Sequence, residues 1–452
     1  MSTAVTVLKF GGTSLEDRAG FERMARVLRS CEDTAPVAVV SAMSGVTDAL
    51  LQTLRLAEEG NGSAAELLLE EILERHLEVT RGFGPTASTK LETLLERTRE
   101  EVVELIRHVV ACRLASPQSR DAITSYGELL SAQVITPFLN EQGIPASYVD
   151  ARRCILTDDA HSSAMPMMRG TTLQTRAQVQ PLLNRKSIPV LGGYIGATGE
   201  GITTTLGRGS SNLTATLVSA ALNARETQIW SDVDGVKSAD PRLVKAARTI
   251  SHLSYDEAEE MARCGAKVLH HGMFAPLRVQ QIPVRIRNSF APEQRGTLID
   301  AQTDSTSETM KAIVHKNNLI RIDLTATPAF VANGFQHSVA EVFRRHRFPV
   351  DVVGKSVDGV SLACDEAESL SSLIDDLRLF SSVQVTRNQA TITCIGEGLR
   401  NRTAGVANIL KAIDPTLKWQ SASEIDLVSV VAEDRVGPVV RRLYQEIFEN
   451  NP

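Results

Sequence analysis

At 452 residues with a formal net charge of −6, the chain has room for two or three domains and a sizeable core. The acidic balance argues against a nucleic-acid binder, which needs clustered Lys and Arg, and an aromatic content of 4% leaves few rings for base stacking. Six scattered cysteines without a CxxC pair argue against a disulfide framework or a zinc site and fit a reducing compartment.

The N-terminus runs directly into a strand pattern, with no basic segment ahead of an apolar run. No apolar stretch approaches the roughly 20 residues of a bilayer span, so the expectation is a cytoplasmic protein. Val5–Leu8 and Pro36–Val40 read as short strands, each ending in a Gly or Ser turn. Two long stretches, about Thr47–Arg81 and Thr89–Ala115, repeat apolar residues at three- and four-residue spacing and predict helices. The turn Gly60–Ser63 interrupts the first. Further strands are expected at Ala146–Val149, Ile188–Leu191, Gln228–Ser231 and Pro283–Arg287. Such alternation predicts a three-layer α/β/α domain with a mainly parallel sheet. Ligands of such sheets sit at the carboxyl ends of the strands.

After Gly296–Ile299 the polar segment Asp300–Ser307 reads as a linker. Two similar units follow. The first has a helix at Ala340–His346, strands at Val350–Val353 and Val360–Cys364, and a helix at Ser371–Leu379; the second has a helix at Gly405–Ile413, a strand at Val428–Val431 and a helix at Val436–Phe448. A weak βαββαβ repeat is the expected architecture, with domains drawn at 1–299, 308–385 and 386–452.

Several segments could carry chemistry. In VLKFGGTSL, Lys9 and Phe10 close a strand, and Gly11 and Gly12 let backbone N–H groups approach a polyanion at a helix start. Lys9 adds a point charge suited to a moving phosphoryl group. The lysine precedes the glycines, so this is no Walker loop. In SAMSGVTD, Ser41 and Thr47 suit a small polar ligand, while Ser44 or Thr47 could equally cap a helix. Glu128, in SYGELLS, is either a partner for a ligand ammonium or a solvated helix residue. In TTTLGRGSSNLTA, Arg208 between two glycines suits bidentate capture of a carboxylate. Ser211 and Asn212 follow it, and this run could also cap the next helix. Ser231, Asp232, Lys237 and Arg242 lie in WSDVDGVKSADPRLV, whose two turns could bracket a nucleotide or simply face solvent. Lys267, in CGAKVLHH, is a further cation or a solvated helix lysine.

These segments, in this order, resemble the aspartokinases of the amino-acid kinase family over nearly the whole chain, and the C-terminal repeat resembles a pair of ACT domains. The resemblance implies ATP-dependent phosphorylation of the side-chain carboxylate of L-aspartate, the first step towards lysine, threonine and methionine through the diaminopimelate route. It implies that Lys9, Phe10, Gly11 and Gly12 hold the ATP phosphates with Mg²⁺, and that Ser231, Asp232, Lys237, Arg242 and Lys267 line the nucleotide site. Lys9, Asn212 and Lys267 are the implied catalytic set. Ser41, Thr47, Glu128, Arg208 and Ser211 would hold aspartate, with Glu128 on its ammonium and Arg208 on its α-carboxylate. Ser338, Asp351 and Ser356 are the implied contacts for an amino-acid effector, and a homodimer or higher homo-oligomer through the ACT units is expected. The chain departs from the family pattern at Asn212, where the family usually has Asp, at Lys237, where Tyr is common, and at Val357, where a Ser–Glu pair would supply the acid; Ser423-Glu424 retains that pair in the second unit. A weakly active or non-catalytic amino-acid sensor is the alternative that these departures leave open.

Overall fold

The computed structural model describes residues 4–31, 33–266, 268–302, 310–327, 334–346, 348, 350–355, 359–366, 370–397, 399 and 424–449. In chain order the elements are β1 (Val5–Phe10), α1 (Arg18–Arg29), β2 (Ala35–Val40), α2 (Val46–Glu58), α3 (Gly62–Val79), α4 (Pro85–Cys112), α5 (Pro117–Glu141), β3 (Ala146–Val149), α6 (Met168–Asn184), β4 (Ile188–Gly192), β5 (Ile195–Ala197), β6 (Thr203–Thr205), α7 (Ser211–Leu222) and β7 (Glu226–Ser231). They continue with β8 (His252–Ser254), α8 (Tyr255–Arg263), α9 (Ala275–Arg278), β9 (Val284–Asn288), β10 (Thr297–Asp300), β11 (Ala312–Ala326), α10 (Phe335–Arg345), β12 (Asp351–Lys355), β13 (Gly359–Asp365), α11 (Leu370–Arg378), β14 (Ser381–Ile395), β15 (Asp426–Ala432) and α12 (Val436–Tyr444). No helix among the described residues is long and apolar enough to cross a membrane.

Contacts group the chain into two units, Met1–Val236 with His270–Ala301, and Lys237–Leu269 with Gln302–Pro452. In the first, the sheet order is β3-β4-β2-β1-β7-β9-β10. All neighbours are parallel except β9 and β10. β1 reads VTVLKF and buries every residue after the first, the continuous pattern of an interior parallel strand. Because the strands are parallel, the segments after β1, β2, β4 and β7 emerge together at one edge. α5 is buried on nearly all sides, from Ile123 through Leu139, so a polar residue on it has little access to bulk water.

The second unit carries an antiparallel sheet ordered β12-β13-β11-β14-β15. β11 and β14 are each fifteen residues long and pair along most of their length, with register shifts around Leu319. One half of this ribbon packs Ile320, Ile322 and Leu324 against α10 and α11. The other half packs Ile313, Ile392 and Cys394 against Val440, Leu443 and Tyr444 of α12. The two units read from sequence as consecutive are therefore interlocked: the second core takes Met310 and Ile313 from chain that precedes the first. Residues 237–269, which the strand–helix texture assigns to the N-terminal domain, add Ala239 and Val244 to that same core. Tyr444 Oη donates to the Ala246 carbonyl at 2.9 Å, and a buried Lys311–Glu257 pair at 2.8 Å ties α8 to the approach to β11. The expected helix at 405–413 and Ser423 lie outside the described residues.

His76 on α3 is fully buried; its Nδ1 bonds to the Ile72 carbonyl at 2.7 Å, and its Nε2 has no partner among the described residues. Burial holds its pKa down at about 4, against an ordinary 6.5, because the charged ring would bury an unpaired donor. Between those values the unfolded chain binds a proton that the folded chain does not, so stability falls as pH falls. The loss amounts to about 3 kcal/mol once both states lie below their pKa. Melting curves of the parent and of His76→Leu at pH 7 and pH 4 are expected to show a smaller acid loss in the variant.

Candidate active site

β1 places Lys9 at the centre of the sheet, and the chain then turns through Gly11 and Gly12. Gly11 N–H donates to the Trp230 carbonyl at 2.9 Å, and residues Gly12–Leu15 form a single 3₁₀ turn. A Cβ on Gly12 would lie 2.9 Å from the Ala42 carbonyl oxygen, so only glycine lets this turn pass the end of β2. A Cβ on Gly11 would meet nothing closer than 3.5 Å but would sit 3.7 Å from Lys9 Nζ and 3.9 Å from Ser231 Cβ. Glycine there keeps open the space over the lysine, between the ends of β1 and β7. That opening and the turn's N–H groups fit a polyphosphate.

Lys9 is 9% exposed and Glu128, on α5, is 4% exposed. Burial lowers the Lys9 pKa to about 8, partly offset by the Glu128 charge. Burial likewise raises Glu128 to about 8, against the pull of the Ala42 backbone N–H and of Lys9. Glu128 Oε2 is buried without a hydrogen-bond partner among the described residues. An acceptor left unsatisfied in the interior is a place for a ligand donor. The solvated-helix reading of Glu128 is thereby excluded.

Ser41 follows β2 and its N–H donates to the Phe10 carbonyl at 3.1 Å. Thr47 is half-buried in the first turn of α2, whose N-cap is Gly45 with φ +79°. Neither Ser44 nor Thr47 caps that helix. Arg208 lies between Gly207 and Gly209, with φ values of +90° and +81°. Its side chain is 85% exposed and pairs with Asp48 on α2 at 3.0 Å. Ser211 and Asn212 form the buried first turn of α7. Ser210 is the cap residue and makes no side-chain cap bond, so Asn212 is not a capping residue. The structure thus brings Lys9, Gly11, Gly12, Ser41, Thr47, Glu128, Arg208, Ser211 and Asn212 onto one edge of the first unit.

Ser231 closes β7, and its carbonyl accepts from the Ser289 N–H and hydroxyl at 2.8 and 3.0 Å. Asp232 beside it is exposed. Lys237 and Arg242 belong to the second unit: Lys237 Nζ donates to Thr249 Oγ1 at 2.9 Å, and Arg242 pairs with Asp240 at 2.5 Å. Lys267 and Ser356 lie outside the described residues. Ser338 is half-buried on α10 and Asp351 begins β12. No group of three or more His, Cys, Asp or Glu among the described residues could hold a metal ion.

Residues 4–288 match the family model of the amino acid kinase family. Over 99% of its length the chain is 30% identical to aspartokinase 2, chloroplastic, of Arabidopsis thaliana, covering 85% of that protein. It is also 30% identical to the lysine-sensitive aspartokinase 3 of Escherichia coli (strain K12), covering 98% of this chain and 99% of that one. The chain belongs to the aspartokinases of the amino acid kinase family. Its structure matches that of E. coli aspartokinase III in complex with aspartate and ADP (R-state), with a TM-score of 0.89 at 30% identity, over 98% of this chain and 100% of that one.

Sequence reading did not single out Asp121, Tyr194 or Ser289. Tyr194 follows Gly192-Gly193 at the end of β4 with φ +66°, an unusual value for a bulky residue, and its N–H donates to Thr214 Oγ1 at 3.0 Å. The GGY run was the one available signal.

The two loop glycines are expected to respond differently to alanine. Gly12→Ala should lower stability by about 1–3 kcal/mol, because the Cβ meets backbone. Gly11→Ala should leave the melting temperature near the parent's but weaken ADP binding about tenfold or more by filling the phosphate space. Thermal melts with and without Mg-ADP distinguish the two.

Proposed function

We propose that this aspartokinase transfers the γ-phosphoryl group of ATP to the side-chain carboxylate of L-aspartate, forming 4-phospho-L-aspartate and ADP. The observation that carries this reading is the buried Lys9–Glu128 pair, which puts a phosphate-facing cation and an under-satisfied carboxylate at one sheet edge. The aspartate carboxylate is ionised at neutral pH, so no general base is needed. One of its oxygens bonds to the γ-phosphorus as the bond to the ADP oxygen breaks, and ADP leaves with that electron pair. Lys9 offsets charge on the moving group. Glu128 accepts hydrogen bonds from the α-ammonium, and Arg208, released from Asp48 on its glycine hinges, takes the α-carboxylate in a fork. Ser41, Thr47 and Ser211 complete the amino-acid site, and Ser231 with Asp232 borders the nucleotide. Mg²⁺, held by the ATP phosphates that Lys9, Gly11 and Gly12 cradle, would offset phosphate charge when bound. Lys237, Arg242 and Lys267 are assigned to the nucleotide side through the family resemblance.

Asn212 retains a carbonyl acceptor where the family usually has a carboxylate, so Lys9 and the other cations of the site lose a nearby negative charge. The C-terminal modules are assigned to sensing an amino acid and to homodimer formation, with Ser338, Asp351 and Ser356 as effector contacts. Val357 removes the acid that would meet an effector ammonium in the first module, so weak inhibition by lysine is expected. Rates measured with lysine, threonine and methionine added in turn check this.

The direct assay is ATP-dependent hydroxamate formation from aspartate and hydroxylamine; no aspartate-dependent product from folded protein would sink the proposal. Lys9→Met is expected to lower kcat about 100-fold or more. For kcat/KM with aspartate, a narrow bell centred near pH 8 is expected, since both free-enzyme groups titrate at about 8. On the acid side Glu128 gains a proton and loses its hold on the ammonium. On the alkaline side Lys9 loses its charge. Glu128→Gln should abolish the acid limb and raise the aspartate KM about tenfold or more, while Asn212→Asp should raise kcat and move the alkaline limb upward.

A further inference from the structure

Asp121 lies about two turns before Glu128 on α5, which puts the two carboxylates on the same side of the helix. It is 1% exposed. Its oxygens collect three donors: Thr205 Oγ1 at 2.6 Å, the Ser162 backbone N–H at 3.0 and 2.9 Å, and His161 Nδ1 at 2.8 Å. These partners converge on the end of β6. Ala164 N–H donates to the Thr205 carbonyl at 2.9 Å, and a Cβ on Gly207 would meet the Ser162 carbonyl at 3.7 Å. Ser162 itself holds a positive φ of 68°. Thr205 is therefore tied to α5 directly through Asp121. The Gly207–Arg208–Gly209 hinge begins one residue further on, after the buried Leu206, whose N–H donates to the Tyr194 carbonyl at 2.9 Å.

Buried carboxylates with full complements of donors often serve only to hold a fold together. Here the bonds lead from the helix that carries Glu128 to the strand end that carries Arg208, and both glycines of the hinge lie beyond the last anchored residue. We propose that Asp121 is a positioning residue for the amino-acid subsite. Through Thr205 it sets the span between Glu128 and the root of Arg208, and so the geometry in which one α-ammonium and one α-carboxylate are held together. The hinge gives Arg208 its reach, and Asp121 fixes the point from which that reach is measured. This rests on the assignment of Glu128 and Arg208 made above. It adds a group that touches no substrate atom and acts through the placement of one that does. Misplacing a binding group by about an ångström is enough to change rates and affinities by up to about 100-fold.

The test uses the full chain and three variants. Thr205→Val keeps the shape of the side chain and removes the donor to Asp121, Thr205→Ser keeps the donor, and Asp121→Asn removes the charge. For each, the KM for aspartate at saturating ATP, the KM for ATP at saturating aspartate, and the melting temperature are measured. Thr205→Val is expected to raise the aspartate KM about tenfold with the ATP KM changed by less than about twofold, and Thr205→Ser to return the aspartate KM to within about threefold of the parent. Asp121→Asn, where it folds, is expected to show the same split, and the Asp121→Asn/Thr205→Val double variant no more than the larger single effect. Equal KM values in Thr205→Val and parent would overturn the proposal. So would parallel rises in both KM values with a lowered melting temperature, because that pattern reports general loosening. If the parent itself makes no aspartate-dependent product, the reading of the site falls and the positioning role with it.

Discussion

Lys9 and Glu128 sit where water has little access, and each draws part of its tolerance for charge from the other. A lone ionised group in such a place shifts towards its neutral form. Burial pulls both groups towards neutrality, whereas a bound polyphosphate and a bound ammonium would each favour the charged form. Ligand binding and ionisation are coupled on physical grounds, and the rest of the first unit exists to keep this pair buried. β1 brings the lysine to the middle of a parallel sheet, α5 brings the glutamate along a helix enclosed on nearly all sides, and Gly12 allows the turn between them and β2 to close.

Around that buried pair the groups proposed to hold aspartate differ in exposure. Glu128 is held by packing, while Arg208 stands in solvent between two glycines and rests on Asp48. An exposed ion pair of this kind contributes little to stability, which leaves the guanidinium available to a better carboxylate. The arrangement joins a buried half, Lys9 and Glu128, to an exposed half in which Arg208 stands between two positive-φ glycines.

The second unit solves a different problem. Two small sheets side by side would each present edges, but β11 and β14 run through both and merge them into one antiparallel sheet. The polar stretch Lys316–Asn318 and the facing Arg387–Gln389 coincide with the register shifts, where the ribbon passes from one hydrophobic core to the other. Polar residues in mid-strand hid these two strands from the sequence pattern. They mark the boundary between cores, and alternation is lost where neither core claims the side chains.

Local sequence was sufficient for the elements whose signal lies within a few residues: the lysine–glycine loop, the helices broken at Gly60, the short buried strands, and the glycine-flanked arginine. Each follows from backbone freedom or from hydrophobic period, which are properties of contiguous chain. Other features required the tertiary structure. The burial of Glu128 depends on what packs around all sides of α5. Asp121 meets Thr205 only because a helix and a strand 84 residues apart are brought together. Residues 237–269 join the C-terminal unit because Tyr444 and α12 cover them. The lysine–glycine loop was thus written in the sequence, since a strand, a lysine and two glycines act through their own backbone. Which carboxylate is starved of partners, and which one gathers donors from Thr205, Ser162 and His161, was decided by the fold, because burial and long-range hydrogen bonds belong to no single segment.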